Sequence, residues 1–262
     1  MKKLSVLFLA AVMMIGLIGC SSVAANPVNS IDDLPGKTIG VQLGTTGDIY
    51  ASDYESEGST IERYNKTNDA VAALKQGKID CIIIDDMPAQ VFVEKNTDLK
   101  ILEEPFALEE YAICVAKENA ELKDAINGAL ASLKADGTLD KIIANYVGDD
   151  DVKGTFKYES TNTDFSGGQL IMATEATFPP YEYYDSDTIV GLDVDMAQAV
   201  ADMLKMELVV ENMDFNAIIT AVQTGKANVG IAGLTITEER LQNVDFTDPY
   251  TTATQVIVVR AK

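Results

Sequence analysis

The sequence contains no histidine, and its 20 lysine and arginine residues are outnumbered by 41 aspartate and glutamate residues. The absence of histidine excludes Ser-His-Asp and Cys-His catalysis and every metal site that uses an imidazole ligand. The formal net charge of −21 repels phosphate backbones, so we expect no nucleic-acid partner. We therefore predict no catalytic residues, no resident metal and no cofactor.

Cysteine is also scarce. The three cysteines are Cys20, Cys81 and Cys114, and no two of them form a Cys-x-x-Cys pair. This spacing argues against thiol redox chemistry and against a zinc site. Cys81 and Cys114 stand inside apolar runs, which favours buried core thiols over a disulfide or a nucleophile.

The sequence has one long apolar run, Leu4–Leu17, which carries no charge and follows two lysines. It is typical of a signal peptide and too short for a transmembrane helix. The Leu-Ile-Gly-Cys sequence at 17–20 resembles the bacterial lipobox, which implies cleavage before Cys20 and a lipid chain on its sulfur. We predict a lipoprotein signal peptide at 1–20 and a tether at 21–30. The protein would then be extracytoplasmic and lipid-anchored to a bacterial cell membrane.

The remaining chain alternates β-rich runs with helical patterns, which indicates α/β architecture with largely parallel sheets. The predicted strands are Thr38–Leu43, Ile79–Ile84, Tyr111–Ala116, Leu170–Thr174, Glu207–Glu211, Asn228–Ala232 and Gln255–Val259. The predicted helices are Asp69–Lys75, Ala120–Tyr146 with a break at Gly137, Asp193–Leu204 and Ala217–Gln223. Residues 148–168 lack a core pattern, so we interpret them as a linker.

Two segments repeat one pattern. Asn68–Ile84 and Asn216–Ala232 align without a gap, and each contains an asparagine, a helix, a Gly-Lys pair and a buried strand. The repeat predicts two lobes that share a helix–strand unit. Ligands of open α/β sheets bind beyond the carboxyl ends of strands, so two such ends facing each other predict an interlobe cleft.

Arg240 and Asp85 follow the two repeated strands and are the principal candidate binding residues. A guanidinium binds a carboxylate through two parallel hydrogen bonds, and a carboxylate can hold an ammonium group. A zwitterion would therefore be bound from both lobes. As an alternative, Arg240 is a surface charge in a helix capped by Thr237. Asp85 could likewise cap the helix that starts near Met87, although Asp86 is the better candidate for that cap.

Four smaller residues complete this candidate site. Gly233 permits close approach of a ligand to the backbone, and Thr235 offers a hydroxyl and an N–H group. The loop with Thr45 and Thr46 follows the first strand, and its N–H groups could bind an anionic oxygen. The alternative for this loop is an ordinary turn with a helix cap.

Several segments resemble the polar amino-acid solute-binding proteins of ABC importers. The segments that resemble the first lobe of that family are Ala173–Tyr183, Met213–Phe215, Ala221–Lys226, Ala232–Arg240 and Val244–Tyr250. Those that resemble its second lobe are Leu34–Thr46 and Ile79–Asp85. The resemblance implies a two-lobe periplasmic-binding-protein type II fold with a hinge and a cleft. It also implies a monomer that delivers an amino acid to the permease subunits of an ABC importer.

The same resemblance implies individual roles in the cleft. Glu175 and Phe178 would line the pocket, and Phe215 would stack on the ligand. The amino-acid backbone would be held by Gly233, Thr235, Arg240, Thr45, Thr46 and Asp85.

The order of the two parts differs from that of the family. There, the part equivalent to 168–262 precedes the part equivalent to 30–147, so this chain resembles a circularly permuted member. We expect this order to cut one of the two interlobe crossovers, leaving the one near Glu109–Tyr111 and loosening the hinge. The predicted units are 31–110 for the second lobe with Asp85, 111–147 for a helical return onto the first lobe, 148–168 for the linker, and 169–262 for the main part of the first lobe with Arg240.

Alternatives remain for both activity and ligand. An enzyme on the same fold, similar to cyclohexadienyl or arogenate dehydratases, would use Glu175 as an acid or base. A sensory domain would need a transmembrane segment or a signalling module, and a structural lipoprotein would make the matching positions of Arg240 and Asp85 coincidental. For a transport protein, pairing of Glu175 with a cationic side chain favours arginine or lysine. Phe178 and Phe215 would add cation–π contacts. Glutamine and cystine remain open.

Overall fold

The computed structural model describes residues 28–261. The predicted signal peptide at 1–20, its Cys20 and most of the predicted tether lie outside the described residues. The strands are Thr38–Gln42 (β1), Thr60–Tyr64 (β2), Cys81–Asp85 (β3), Leu99–Ile101 (β4), Ala107–Tyr111 (β5), Cys114–Val115 (β6), Gln169–Thr174 (β7), Thr177–Phe178 (β8), Glu182–Asp185 (β9), Thr188–Val190 (β10), Glu207–Asn212 (β11), Val229–Gly230 (β12), Asp245–Phe246 (β13) and Thr251–Arg260 (β14). The α-helices are Thr46–Asp53 (α1), Thr67–Lys75 (α2), Asp86–Lys95 (α3), Ala120–Ala135 (α4), Thr138–Val147 (α5), Leu192–Met203 (α6), Ile218–Gln223 (α7) and Glu238–Leu241 (α8).

The first sheet has six strands in the order β2-β1-β3-β14-β4, with β5 paired to β14. Strand β1 runs parallel to β2 and β3, whereas β14 is antiparallel to β3, β4 and β5. Helices α1, α2 and α3 pack against these strands. We call this unit the Asp85 lobe, because Asp85 ends β3.

The second sheet has five strands in the order β11-β7-β12-β6-β13. Strand β7 runs parallel to β11 and β12, whereas β6 is antiparallel to β12 and β13. A small antiparallel sheet, β10-β9-β8, follows β7, and helices α4, α5 and α6 pack together. We call this unit the Arg240 lobe. The two parallel-cored sheets confirm the predicted two-lobe periplasmic-binding-protein type II fold.

The chain passes between the two sheets twice, once between β5 and β6 and once between β13 and β14. Both crossovers are therefore present, and the expectation that one is cut was wrong. The expected assignment of 169–262 to the Arg240 lobe also differs from the sheet topology, since 251–260 pairs within the Asp85 lobe. The expected loosening of the hinge loses its basis.

Strand β3 shows why its sequence is continuously apolar. Ile82 and Ile84 belong to one buried core cluster, and Cys81 and Ile83 belong to another. Both faces of the strand are therefore covered, as in parallel sheets generally. Cys81 and Cys114 are free and buried, which confirms the prediction of core thiols.

The predicted break at Gly137 is confirmed. Its φ of 78° ends α4 in a left-handed turn, and α5 starts at the next residue. Residues 149–168 form no helix or strand. Phe156 and Tyr158 pack against the core, and the Tyr158 hydroxyl donates a hydrogen bond to Asp202 at 2.9 Å.

Within residues 28–261, no helix has the length and apolarity needed to cross a membrane. The same residues contain no group of three or more Cys, Asp or Glu side chains placed to hold a metal ion.

Candidate functional site

A cleft of about 290 Å³ lies between the two lobes. The residues that line it come from the last residues of β1 and β3, from the loops after β1, β7 and β12, from β8, and from short helices beside them. They are Gln42, Thr45, Thr46, Asp85, Glu175, Phe178, Phe215, Ala232, Gly233 and Arg240. The structure thus brings together eight of the nine predicted site residues. Thr235 is the exception, and Gln42 and Ala232 were not predicted.

Arg240 supplies a buried cation to the cleft. Its Nη1 donates to the carbonyl of Thr235 at 2.7 Å, and its Nη2 donates to the carbonyl of Gly44 at 3.1 Å. The guanidinium carbon lies 5.5 Å from the centroid of the Phe215 ring. Thr237 caps α8 by accepting from the Arg240 N–H, as the alternative expected, but Arg240 is only 5% exposed and is no surface charge.

Asp85 lies at the end of β3 and is buried. Its Oδ1 accepts a hydrogen bond from the Tyr111 hydroxyl at 2.5 Å. Burial, and then the nearby Glu109 carboxylate, raise the pKa of Asp85 well above its usual range. The alternative role as a helix cap is not observed, because no side-chain cap hydrogen bond forms at Asp85.

Glu175 follows β7 directly and is 3% exposed. Its two oxygens accept from the Thr177 hydroxyl at 2.7 and 2.9 Å, and its Oε2 also accepts from Gln42 Nε2 at 3.4 Å. Burial raises the pKa of Glu175. Gln42 belongs to the opposite lobe, so this last hydrogen bond crosses the cleft. Gln42 was not predicted from the sequence, although it stands at the end of β1, where ligands of open α/β sheets bind.

The loop at the start of α1 serves two purposes. Thr45 Oγ1 caps α1 by accepting from the Asp48 N–H at 3.3 Å, and it donates to the Gln42 carbonyl at 2.8 Å. The expected alternative, a turn with a helix cap, is therefore present within the loop that lines the cleft. A Cβ on Gly47 would lie 2.8 Å from the Ile83 carbonyl oxygen, so glycine lets α1 approach β3 closely.

Thr235 is not among the residues that line the cleft. Its hydroxyl donates at 3.0 Å to Oε2 of Glu109, a carboxylate that is only 3% exposed. Oε1 of Glu109 is buried without a hydrogen-bond partner. Glu109 was not predicted from the sequence, because two adjacent glutamates, Glu109 and Glu110, are typical of an exposed segment. Alternation along β5 turns Glu109 inward and Glu110 outward.

A second buried pair of acids supports the cleft from behind. Asp193 accepts from the Gly233 N–H at 2.9 Å and from the Tyr250 hydroxyl at 2.8 Å, which positions the Gly233 backbone. Glu182 is fully buried beside it. Burial and the Asp193 charge raise the pKa of Glu182 well above its usual range, and burial raises the pKa of Asp193 to about 6.

The chain matches one protein family over more than half of its length. The sequence model described as "Bacterial extracellular solute-binding proteins, family 3" matches residues 84–149 and 170–262. The two matched stretches contain Asp85, Glu175 and Arg240 among the residues that line the cleft.

Similar proteins include several that are named for amino acids. The arginine-binding extracellular protein ArtP of Bacillus subtilis (strain 168) is 43% identical over 101 residues, which are 38% of this chain and 40% of ArtP. The L-cystine-binding protein TcyJ of Escherichia coli (strain K12) is 32% identical over 127 residues, 48% of this chain and 47% of TcyJ. The chain thus spans less than half the length of these two relatives.

One solved structure, of an ancestral arginine-binding protein bound to arginine, is 49% identical to the chain over the aligned part. The alignment covers 33% of this chain and 38% of that chain, with a TM-score of 0.32.

The buried Glu182–Asp193 pair predicts a particular dependence of stability on pH. Both acids have a higher pKa in the folded chain than their usual values of 4.5 and 3.8, so the folded chain binds more protons than the unfolded chain. Their contribution to stability must therefore fall as the pH rises above about 4. Glu182→Gln removes one of the two acids and should therefore remove part of this loss. We expect its free energy of unfolding, minus that of the wild type, to be about 1–3 kcal/mol larger at pH 7 than at pH 4.

Urea unfolding of both proteins at several pH values measures this difference. Glu62→Gln makes the same change on the exposed part of β2 and should leave the profile unchanged. Equal pH profiles for Glu182→Gln and the wild type would contradict the prediction.

Proposed function

Because the chain belongs to the bacterial extracellular solute-binding proteins, family 3, we propose that it captures a basic amino acid between its lobes and delivers it to the permease subunits of an ABC importer. The observation that carries this proposal is the charge arrangement of the cleft. A buried guanidinium on one lobe faces buried carboxyl groups from both lobes around one cavity. We propose that the protein acts as a monomer and turns over no substrate.

The carboxylate of the ligand would bind at Arg240. A guanidinium can form two parallel hydrogen bonds with a carboxylate, and backbone N–H groups near Thr45 and Thr46 would add donors. The Arg240 Nη2 atom now donates to the Gly44 carbonyl in the opposite lobe. A ligand carboxylate at this position would contact groups of both lobes.

The two cationic ends of a basic amino acid would bind at separate carboxyl groups. Asp85 would hold the α-ammonium group, and Glu175 would pair with the cationic side chain, with Phe178 and Phe215 providing aromatic contacts. A ligand with two cations and one carboxylate is complementary to a site with one cation and an excess of acids. The net charge of −21 adds long-range attraction for a cationic ligand. The similar protein ArtP is named as an arginine-binding protein, which agrees with this preference.

Closure of the lobes would be the response to the ligand. Three side-chain hydrogen bonds already cross between the lobes, from Gln42 to Glu175, from Arg240 to Gly44 and from Thr235 to Glu109. A ligand that adds contacts to both sides favours the closed arrangement by its differential affinity, which is the hinge closure described for periplasmic binding proteins.

We also propose that the chain is circularly permuted relative to the family order, with 148–168 joining the former ends. Support comes from the positions of the two ends of the described chain. Val28 shares a buried core cluster with Ile257 and Val259 of β14, so the strand end and the start of the lobe lie close together. Chain ends that lie close together can be joined, which is a condition for circular permutation.

Finally, we propose that Cys20 carries a lipid that anchors the protein to the outer face of the cell membrane. Support comes from the apolar run and the lipobox-like sequence.

A binding screen tests the proposed ligand. In isothermal titration calorimetry of the full chain with the common amino acids, cystine and citrulline, we expect arginine or lysine to bind most tightly. Citrulline is nearly isosteric with arginine but has an uncharged side chain. We expect Glu175→Gln to weaken arginine binding by about 10–100-fold, as expected for the loss of a charge-assisted hydrogen bond, and to change citrulline binding little.

The exposed Glu110→Gln variant is the matched control and should bind like the wild type. Tightest binding of cystine or glutamine would overturn the basic-ligand preference, and binding of no amino acid would overturn the proposed function. Turnover of a bound prephenate- or arogenate-type compound would favour an enzyme instead.

Reconnecting the chain tests the permutation. A variant that joins Arg260 to Asn29 through a short linker and opens at 148–168 should fold and bind the same ligand within a few-fold of the original affinity, because the cleft contacts do not depend on chain order. Circular dichroism and calorimetry measure both properties. A variant that unfolds or loses the ligand would contradict the proposed permutation.

Replacing the proposed lipid attachment residue tests the anchor. In the bacterial host, Cys20→Ser should move the protein from the membrane fraction to the soluble extracytoplasmic fraction, because the thiol that would carry the lipid is absent. Fractionation followed by immunodetection measures the distribution. Cys81→Ser is the control, and an unchanged distribution of Cys20→Ser would contradict the anchor.

A further inference from the structure

The ammonium end of the proposed site has two carboxyl groups rather than one. Behind Asp85, which lines the cleft, lies Glu109 of β5. Both side chains are more than nine-tenths buried. They are linked through Gln255, which donates to Oε2 of Glu109 and pairs with Asp85 in the sheet. Two ionised carboxylates in one buried site repel each other, so protonation of one of them is favoured.

The groups around this pair contain more acceptors than donors. Tyr111 donates its hydroxyl to Asp85, while Thr235 and Gln255 donate to Oε2 of Glu109 at 3.0 and 3.1 Å. Two buried oxygens remain without a donor, Oε1 of Glu109 and Oε1 of Gln255. A proton or a cationic N–H group is the chemistry that such a set of acceptors requires.

The register of the sheet explains how these groups meet. Gln255 of β14 pairs with Asp85 on one side and with Ala107 of β5 on the other. Glu109 lies two residues beyond Ala107, on the same face of β5. The Gln255 amide also donates to the Thr46 hydroxyl at 3.3 Å, which connects the pair to the loop that lines the cleft.

We propose that Asp85 and Glu109 form one carboxyl pair, in which Asp85 holds a proton before ligand binding and exchanges that proton for the α-ammonium group of the ligand. The inference rests on the proposed function, because it assumes a ligand with an ammonium group. On binding, the proton passes from Asp85 to solvent, and the ammonium takes its place beside the Asp85 carboxylate. Glu109 does not line the cleft, so it acts through Asp85 as a positioning residue.

Other charged and titratable groups face this pair. Arg240 on α8 acts on both carboxyl groups, Tyr111 on β5 acts on Asp85, and Tyr50 on α1 interacts with Glu109. The Asp85 charge also reaches Tyr181 and Glu182. Burial and Glu109 raise the pKa of Asp85, which agrees with a protonated Asp85. Burial also raises the pKa of Tyr50 to about 12, so this tyrosine stays neutral at physiological pH.

The sign of the coupling follows from this exchange. A cation that binds to the ionised pair competes with the proton, so binding releases a proton and tightens as the pH rises. The number of protons released per ligand equals the slope with which log Kd falls as the pH rises. Release of one full proton therefore lowers the dissociation constant about tenfold for each pH unit.

Proton release can be measured by titrating the full chain with L-arginine in buffers of different ionisation enthalpy, from about pH 5.5 to about pH 7.5. The second ligand is 5-guanidinopentanoate, which is arginine without its α-ammonium group. It retains the guanidinium, so any proton exchanged at Glu175 appears with both ligands and can be subtracted. We expect arginine to release up to one proton more than 5-guanidinopentanoate.

Glu109→Gln should reduce this difference and the pH dependence of arginine affinity, because it removes a charge that disfavours ionised Asp85 while the effect of burial remains. Glu110→Gln, one residue along on the exposed face, should behave like the wild type. Glu109→Asp keeps the charge and should restore part of the proton release. Thermal unfolding without ligand checks that each variant is folded.

Two results would overturn the proposal. One is arginine binding by the wild type without any excess proton release over 5-guanidinopentanoate. The other is a folded Glu109→Gln variant with unchanged release, or, if that variant does not fold, an unchanged pH dependence in Glu109→Asp. In each case arginine still binds, so the proposed function stands. Failure of the wild type to bind any amino acid would refute the proposed function itself.

Discussion

The cost of burying charge governs the cleft. A carboxylate removed from water is unfavourable unless a cation, a proton or several donors compensate it. Asp85, Glu109 and Glu175 are all buried around the guanidinium of Arg240, so the acids exceed this cation. Hydroxyl and amide groups of Tyr111, Thr177 and Gln255 donate hydrogen bonds that compensate part of the buried acidic charge. The uncompensated acids are the physical basis for the proposed affinity toward a cationic solute.

Much of this arrangement could be predicted from the sequence, because the gapless repeat put Asp85 and the Gly233 loop at equivalent strand ends. The apolar runs located β3 and β7, and the acceptor and donor chemistry of Asp85 and Arg240 suggested their roles. Glu109 and Gln42 could not be found in this way. Glu109 stands in a charged segment, and Gln42 is a polar residue at the end of an otherwise largely apolar strand. Only the fold shows which side of each strand is covered. Strands β2 and β4 were missed because they are short or largely polar.

The prediction that one crossover is lost was wrong for a different reason. The run Gln255–Val259 was recognised as a strand, but its apolar sequence does not say which sheet it joins. Pairing with β3 and β4 places it inside the Asp85 lobe, where both of its faces are covered. Strand β6 makes the reciprocal crossing into the Arg240 lobe. Long-range pairing of this kind is set by tertiary structure, which local patterns do not encode.

The position of β14 also has a consequence for how the polypeptide is assembled during synthesis. Strands β1 to β4 leave the ribosome early, yet the strand that fits between β3 and β4 is translated only after the whole Arg240 lobe. Until then, β3 and β4 present unpaired edges that can pair with other chains. The Asp85 lobe comes first in the chain and is completed last, so its strand edges stay unpaired for longer than those of the Arg240 lobe.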